Sequence, residues 1–412
     1  MHIVRCPRST NTPRLIAVKS TFASQCFVRL PLPLVIVLTI LVHASYAGAR
    51  LTLSLYAIHL HATPFTVGVL MSLLALLPAF YSVGAGRMID RIGVRKPMLV
   101  AAGLVCAATA LAAAVPRLEA LFAVSVLASG FMLFHIGAHY AIGTSGDPGK
   151  RVHNFSMLAL AFATSSFIGP MICGFMIDAF GHRWTFFAMA LIAAVPLVIL
   201  LRTSDPPRAP DQGRGKDKRQ VGDLLRMPML RRVFVTSALL TMTWDLFTFV
   251  LPIYGTRIGL SASSIGLVLA SFGAATFFVR LLVPLVAKKL REWTMLLAAM
   301  GISACSFVIF PFVENTLLLG VLAFILGFGL GSAQPTVMAL LYNLTPRGRS
   351  GEAIGIRSLL INISQTSIPL LFGALGTVLG MAPVFCTMAL CLAGGAYYVR
   401  KPPPQSSPQG DK

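Results

Sequence analysis

A single carboxylate, Asp245, stands about 13 residues into a stretch that is otherwise neutral from Val233 to Tyr254. An acid at mid-bilayer costs at least about 2.5–3.5 kcal/mol on insertion scales, so it must face a protein interior or a wet cavity. Thr241, Asp245, Thr248 and Pro252 recur at i, i+4, i+7 and i+11, and in a helix they share one face. Asp245 is therefore a candidate proton carrier. The alternative is a permanent ion pair with Arg50, Arg280 or Arg357, the three cations that lie within apolar runs. An earlier stretch repeats the same spacing with Thr39, His43, Tyr46 and Arg50. Imidazole titrates near pH 6.5, so His43 is a second candidate for proton relay, with a hydrogen-bonded structural group as its alternative. His135 and His139 also share a face, but no Glu follows His135 and no third ligand is evident, so no metal is expected. With Gln334, Asn362 and Gln365 they are assigned to the lining of one polar chamber, and Arg280 and Arg357 to intramembrane ion pairing.

Those residues need helices long enough to cross a membrane. The 412 residues are 56% hydrophobic and 11% charged, with mean hydropathy +0.80, where ordinary soluble domains carry roughly 25% charge. The net charge of +21 does not point to nucleic acid, because the cations flank apolar runs and form no stripe interleaved with aromatics. The seven cysteines show no CxxC spacing and read as small hydrophobes. A spanning helix takes about 20 apolar residues. Twelve such runs are present: 32–56, 63–85, 97–115, 119–142, 155–177, 183–201, 232–254, 263–286, 294–313, 316–342, 353–379 and 381–399.

Of the 34 cations, 28 fall on one side of these spans, 3 on the other and 3 within them. The positive-inside rule then puts both termini in the cytoplasm. The expected division is a basic tail over 1–30, six helices over 31–202, a Pro-, Asp- and Arg-rich linker over 203–231, six more helices over 232–400 and a tail over 401–412. The two sets echo one another: Pro170, Gly174 and Gly181 repeat 199 residues later as Pro369, Gly373 and Gly380. No constellation for an enzyme is present, and the longest hydrophilic stretch is too short for a sensor domain.

Between the second and third runs lies Gly86-Arg87-Met88-Ile89-Asp90-Arg91-Ile92-Gly93-Val94-Arg95-Lys96, where Asp90 is the first acid of the chain. Glycines at both ends permit a tight turn. The register G-x-x-x-D-R-x-G-x-R-K resembles the signature loop of the major facilitator superfamily. The resemblance casts Gly86, Asp90, Arg91, Gly93, Arg95 and Lys96 as a gating loop, with Asp90 set against the N-terminus of the eleventh helix. Gly169-Pro170-Met171-Ile172-Cys173-Gly174 resembles the Gly-Pro motif of the proton-coupled exporters in that superfamily, with Cys173 in place of one glycine and Ser165 in place of another. Proline and small residues also serve plain helix packing.

The resemblance spans the chain and implies an all-α transmembrane fold of two pseudo-symmetric six-helix bundles. It implies alternating access about a mid-membrane site. The expected activity is proton-coupled efflux of small amphipathic compounds, with transport of a small organic anion against Arg50 as the alternative. Protons, a small-molecule substrate and the lipid bilayer are the expected partners, in a monomer of the bacterial inner membrane without cofactor.

Overall fold

A computed structural model describes residues 28–29, 31–144, 151–204, 222–286, 291–346 and 350–400. Predominantly apolar runs form α1 (Leu32–His59), α2 (Pro64–Ile92), α3 (Arg95–Ala114), α4 (Leu118–Ala128), α5 (Phe131–Thr144) and α6 (Arg151–Leu201). A short α7 (Gly222–Arg226) precedes α8 (Pro228–Arg257), α9 (Ala262–Val286), α10 (Glu292–Ile309), α11 (Thr316–Leu344), α12 (Ser350–Val378) and α13 (Met381–Val399). Starts are set by small polar caps and prolines. The Thr63 hydroxyl accepts from Thr66 N ahead of Pro64, and Asn315 accepts from Leu317 N and Leu318 N. A two-residue parallel pairing of β1 (Val28–Arg29) with β2 (Thr203–Ser204) is all the extended pairing among the described residues.

Among the described residues, eleven segments are long and apolar enough to cross a bilayer. One runs for 49 residues, His153–Leu201, and is broken at Gly181, where φ is 79° and only glycine is at ease. Its two arms make the fifth and sixth crossings, so twelve result. Helices α4 and α5 are one crossing bent at Ser129 and Gly130. The fold is thus the all-α pair of six-helix bundles that the sequence implied. Its buried interior is phenylalanine- and leucine-rich, with Phe134 and Phe186 on the first side and Phe247, Phe307 and Phe385 on the second. Residues such as Phe312, Leu317 and Val378 stay exposed on the outside, as a lipid-facing surface requires.

Two expectations about loops change. The turn expected across Gly86–Lys96 contracts to Gly93 and Val94, because α2 continues through Ile92. A glycine inside a helix weakens it by about 1 kcal/mol but does not stop it. Gly93 does stop it, with φ at 86°. The 203–231 linker likewise holds α7 and the first turn of α8, while 205–221 lie outside the described residues. So do 1–27 and 401–412 of the two tails.

Within each bundle α1 packs on α6, and α10 packs on α11 and α13. Between bundles two seams dominate, α6 against α9 and α2 against α12, while α1 and α8 meet more lightly. Helix α8 thereby sets Asp245 opposite α1.

Candidate functional site

Asp245 is 3% exposed, deep in the protein rather than toward lipid. Gln365 from α12 hydrogen-bonds its carboxyl, and Arg50 from α1 is the cation acting on it. The other carboxylate oxygen, Oδ2, is buried without a hydrogen-bond partner, and so is Nε of Arg50. A buried polar atom left unpaired costs about 1–3 kcal/mol, which an ordinary structural residue does not carry without return.

The remaining intramembrane arginines are engaged elsewhere. Arg280 of α9 donates from Nη1 to Ala159 O of α6 at 2.7 Å and from Nη2 to Gln334 Oε1 at 3.1 Å. Arg357 of α12 donates from Nε to Ser237 Oγ of α8 at 3.1 Å. Of the three candidate partners for Asp245, only Arg50 faces it. Gln334 thus serves Arg280 rather than the central pair.

Beside Arg50 the first bundle holds an aromatic and imidazole group. Tyr46 stacks on Phe131 at 4.2 Å between ring centroids, and Phe162 meets His43 edge-on at 5.0 Å. His43 also lies 5.2 Å from Phe131, its Nδ1 buried and without a partner. His135 and His139 are 4.3 Å apart as their spacing requires, and His139 Nδ1 is 2.9 Å from His135 O. No group of three potential ligands able to hold a metal occurs among the described residues. Tyr46 and Arg50 also line a small cavity whose other walls, including Leu53, Leu74 and Val124, are mostly apolar.

Two threonines of the expected lining have other duties. Thr39 is fully buried and donates to Val35 O, and Thr248 donates to Trp244 O and Asp245 O. A threonine hydroxyl in a helix is readily satisfied by the preceding turn, so spacing alone overstates what it offers a cargo. Thr241 and Asn362 are half-buried on α8 and α12.

At the face carrying Gly93, the surroundings of Gly86 and the side chain of Asp90 lie outside what the structure describes. Arg91 and Lys96 are exposed. Arg95 donates to Leu200 O and Leu201 O at 2.8 Å, tying the turn to the C-terminus of α6 in its own bundle. There its charge also suits the negative end of the helix dipole.

The opposite face carries contacts that sequence reasoning missed. Asp178 Oδ1 accepts from Ala262 N at 3.0 Å and Oδ2 from Ser263 N at 2.8 Å, capping α9 across the bundles. Phe65 N donates to Thr377 Oγ1 at 3.0 Å on the other seam. Glycines let the backbones touch. A Cβ on Gly174 would stand 2.6 Å from Ala262 O, one on Gly266 2.6 Å from Pro170 O, and one on Gly373 2.8 Å from Pro64 O. Gly169 makes the same close approach to Ala44 O of α1. The Gly169-Pro170-Gly174 motif therefore wedges α6 between α1 of its own bundle and α9 of the other.

Comparison with known proteins agrees with this architecture. The sequence profile of the Major Facilitator Superfamily matches residues 35–349 and 313–412. The chain is 23% identical over 337 residues to the multi-drug resistance efflux pump PmrA of Streptococcus pneumoniae, covering 80% of this chain and 84% of that one. It is 26% identical over 345 residues to the multidrug resistance protein MdtG of Yersinia enterocolitica, covering 80% and 81%. A crystal structure of the nucleoside transporter NupG (D323A mutant) superposes with a TM-score of 0.74 at 14% identity, over 90% of this chain and 99% of that one, a likeness of fold alone.

Proposed function

The chain belongs to the Major Facilitator Superfamily, and from that premise we propose that it works by alternating access as a proton-coupled exporter of small amphipathic compounds. The two bundles, divided at the 203–231 linker, rock about the Asp245 site in a single copy of the chain. The cation asymmetry places both termini and the Gly93 face in the cytoplasm, so the Asp178 face is outward. A bacterial inner membrane suits this arrangement. That PmrA is a multi-drug resistance efflux pump and MdtG a multidrug resistance protein supports export.

The observation that carries the reading is the pair of unpartnered buried atoms, Asp245 Oδ2 and Arg50 Nε, contributed by opposite bundles. Ionised Asp245 attracts Arg50 and holds cargo that offers it a donor. A proton arriving from outside neutralises the acid and releases both, so proton and cargo take turns at one carboxyl. His43, beside Arg50, is the candidate to pass the proton on. At the cytoplasmic face, Asp90 and Arg91 latch the bundles while the outer side is open.

A second reading has its own support. Three arginines within the spans stand against one buried acid, and Arg50, the one that faces it, keeps Nε without a partner. An organic anion seated on Arg50 would compete with the Asp245 carboxylate, not with its proton. Cargo and proton would then travel together. The sign of the coupling separates the two readings. In proteoliposomes, export predicts that a fluorescent amphipathic dye moves against an imposed proton gradient and that Asp245→Asn abolishes the drive. Movement of an aromatic carboxylate along the gradient selects the second reading. Proton-driven transport undiminished by Asp245→Asn overturns both.

A further inference from the structure

The seams at the Asp178 face are built twice on one plan. The repeat offset of 199 residues carries Pro170, Gly174 and Gly181 onto Pro369, Gly373 and Gly380, and it carries Asp178 onto Thr377. Both residues do the same thing. Each sits just before a glycine break, at Gly181 with φ 79° or at Gly380 with φ 84°. Each accepts a backbone N–H from the first turn of a helix in the other bundle, Asp178 from α9 and Thr377 from α2. The plan is not symmetric in chemistry. Thr377 offers one neutral oxygen, and its own hydroxyl proton returns to Gly373 O. Asp178 offers two carboxylate oxygens to two consecutive N–H groups, where an anion also meets the positive end of the α9 dipole.

We propose that Asp178 is a positioning residue of the transport cycle, a clasp that holds the outer side shut while the site is served from the cytoplasm. This inference rests on the alternating-access reading above. The argument is one of timing. The α6–α9 contact is a capping bond across two moving bodies, so every outward opening must break it, whereas caps within one helix never break in the cycle. Charged capping pairs are the stronger kind, so the α6–α9 seam resists opening more than the α2–α12 seam. The clasp therefore sets how readily the outer side opens, without touching cargo.

The test uses the full chain in membrane vesicles, with native cysteines replaced by serine and Thr241→Cys as reporter in the chamber. A membrane-impermeant maleimide is applied from the outside or the inside. Asp178→Ala is expected to raise the outside labelling rate about threefold or more, the size of a lost helix cap, and to lower the inside rate. Asp178→Asn, which keeps one capping oxygen at the same reach and drops the charge, restores part of the difference. Unchanged labelling in Asp178→Ala, or no rescue by asparagine, overturns the clasp. An unfolding midpoint matched to the parent separates a shift in opening from loss of structure. Comparable labelling from both sides in the parent chain would instead remove alternating access, and the clasp with it.

Discussion

At the scale of single residues, stability and function pull apart in the way the three arginines are used. Arg357 and Arg280 have their donors taken by neutral oxygens, whereas Arg50 keeps Nε unpaired beside an acid with the same deficit. Ser237→Ala should leave the Arg357 Nε without its partner and lower the unfolding midpoint in detergent by an amount equivalent to about 1–3 kcal/mol. An unchanged midpoint would show that Arg357 is solvated. Arg50→Gln should instead abolish proton-driven transport with little loss of midpoint, because it removes a charge that the resting structure leaves half-satisfied. Asp245 and Arg50 were legible in the sequence because a charge in an apolar run has no cheap explanation. Phe131 and Phe162 were not, since phenylalanines are common along spanning helices and nothing in their spacing separates a ring against His43 from one against lipid. Asp178 escaped for the opposite reason: at a helix end a carboxylate reads as solvated until its partner across the fold is seen.

At the scale of elements, glycine decides where helices may touch. A Cβ at Gly266 would stand 2.6 Å from Pro170 O, whereas one at Gly301 on α10 would meet nothing within 4 Å. Gly266→Val should force α6 and α9 apart, hold the outer side open and stop turnover. Gly301→Ala should leave transport intact and add about 0.5–1 kcal/mol of helix stability. Equal transport by the two variants, measured in the same vesicles, would show that the seam need not close. The helices themselves were readable from length and hydropathy, and Gly181 and Gly380 from the repeat. Their ends were less so. Gly86 and Gly93 look alike in sequence, yet α2 runs through the first and stops at the second, because packing carries a helix across one weak residue. The same spacing that put Thr39 and Thr248 on polar stripes says nothing of their hydroxyls, which are satisfied within their own helices.

At the scale of the whole molecule, the two seams are the mechanical coupling between bundles that otherwise meet lightly through α1 and α8. Because α6 meets α9 and α2 meets α12 on opposite sides of the central group, the outer side can open only if both seams part. Locking one should therefore suffice to stop the cycle. Pairs already within hydrogen-bond reach offer the sites: Asp178→Cys with Ser263→Cys on one seam, Phe65→Cys with Thr377→Cys on the other. In a chain otherwise free of cysteine, oxidation of either pair alone should abolish proton-driven transport in proteoliposomes, and a reductant should restore it. The chamber, probed at Thr241→Cys, should remain reachable from the cytoplasmic side while either lock is closed. Turnover persisting with one pair oxidised would mean that the bundles slide or open along a single seam. The rocking motion about Asp245 and Arg50 would then give way to a different geometry of access.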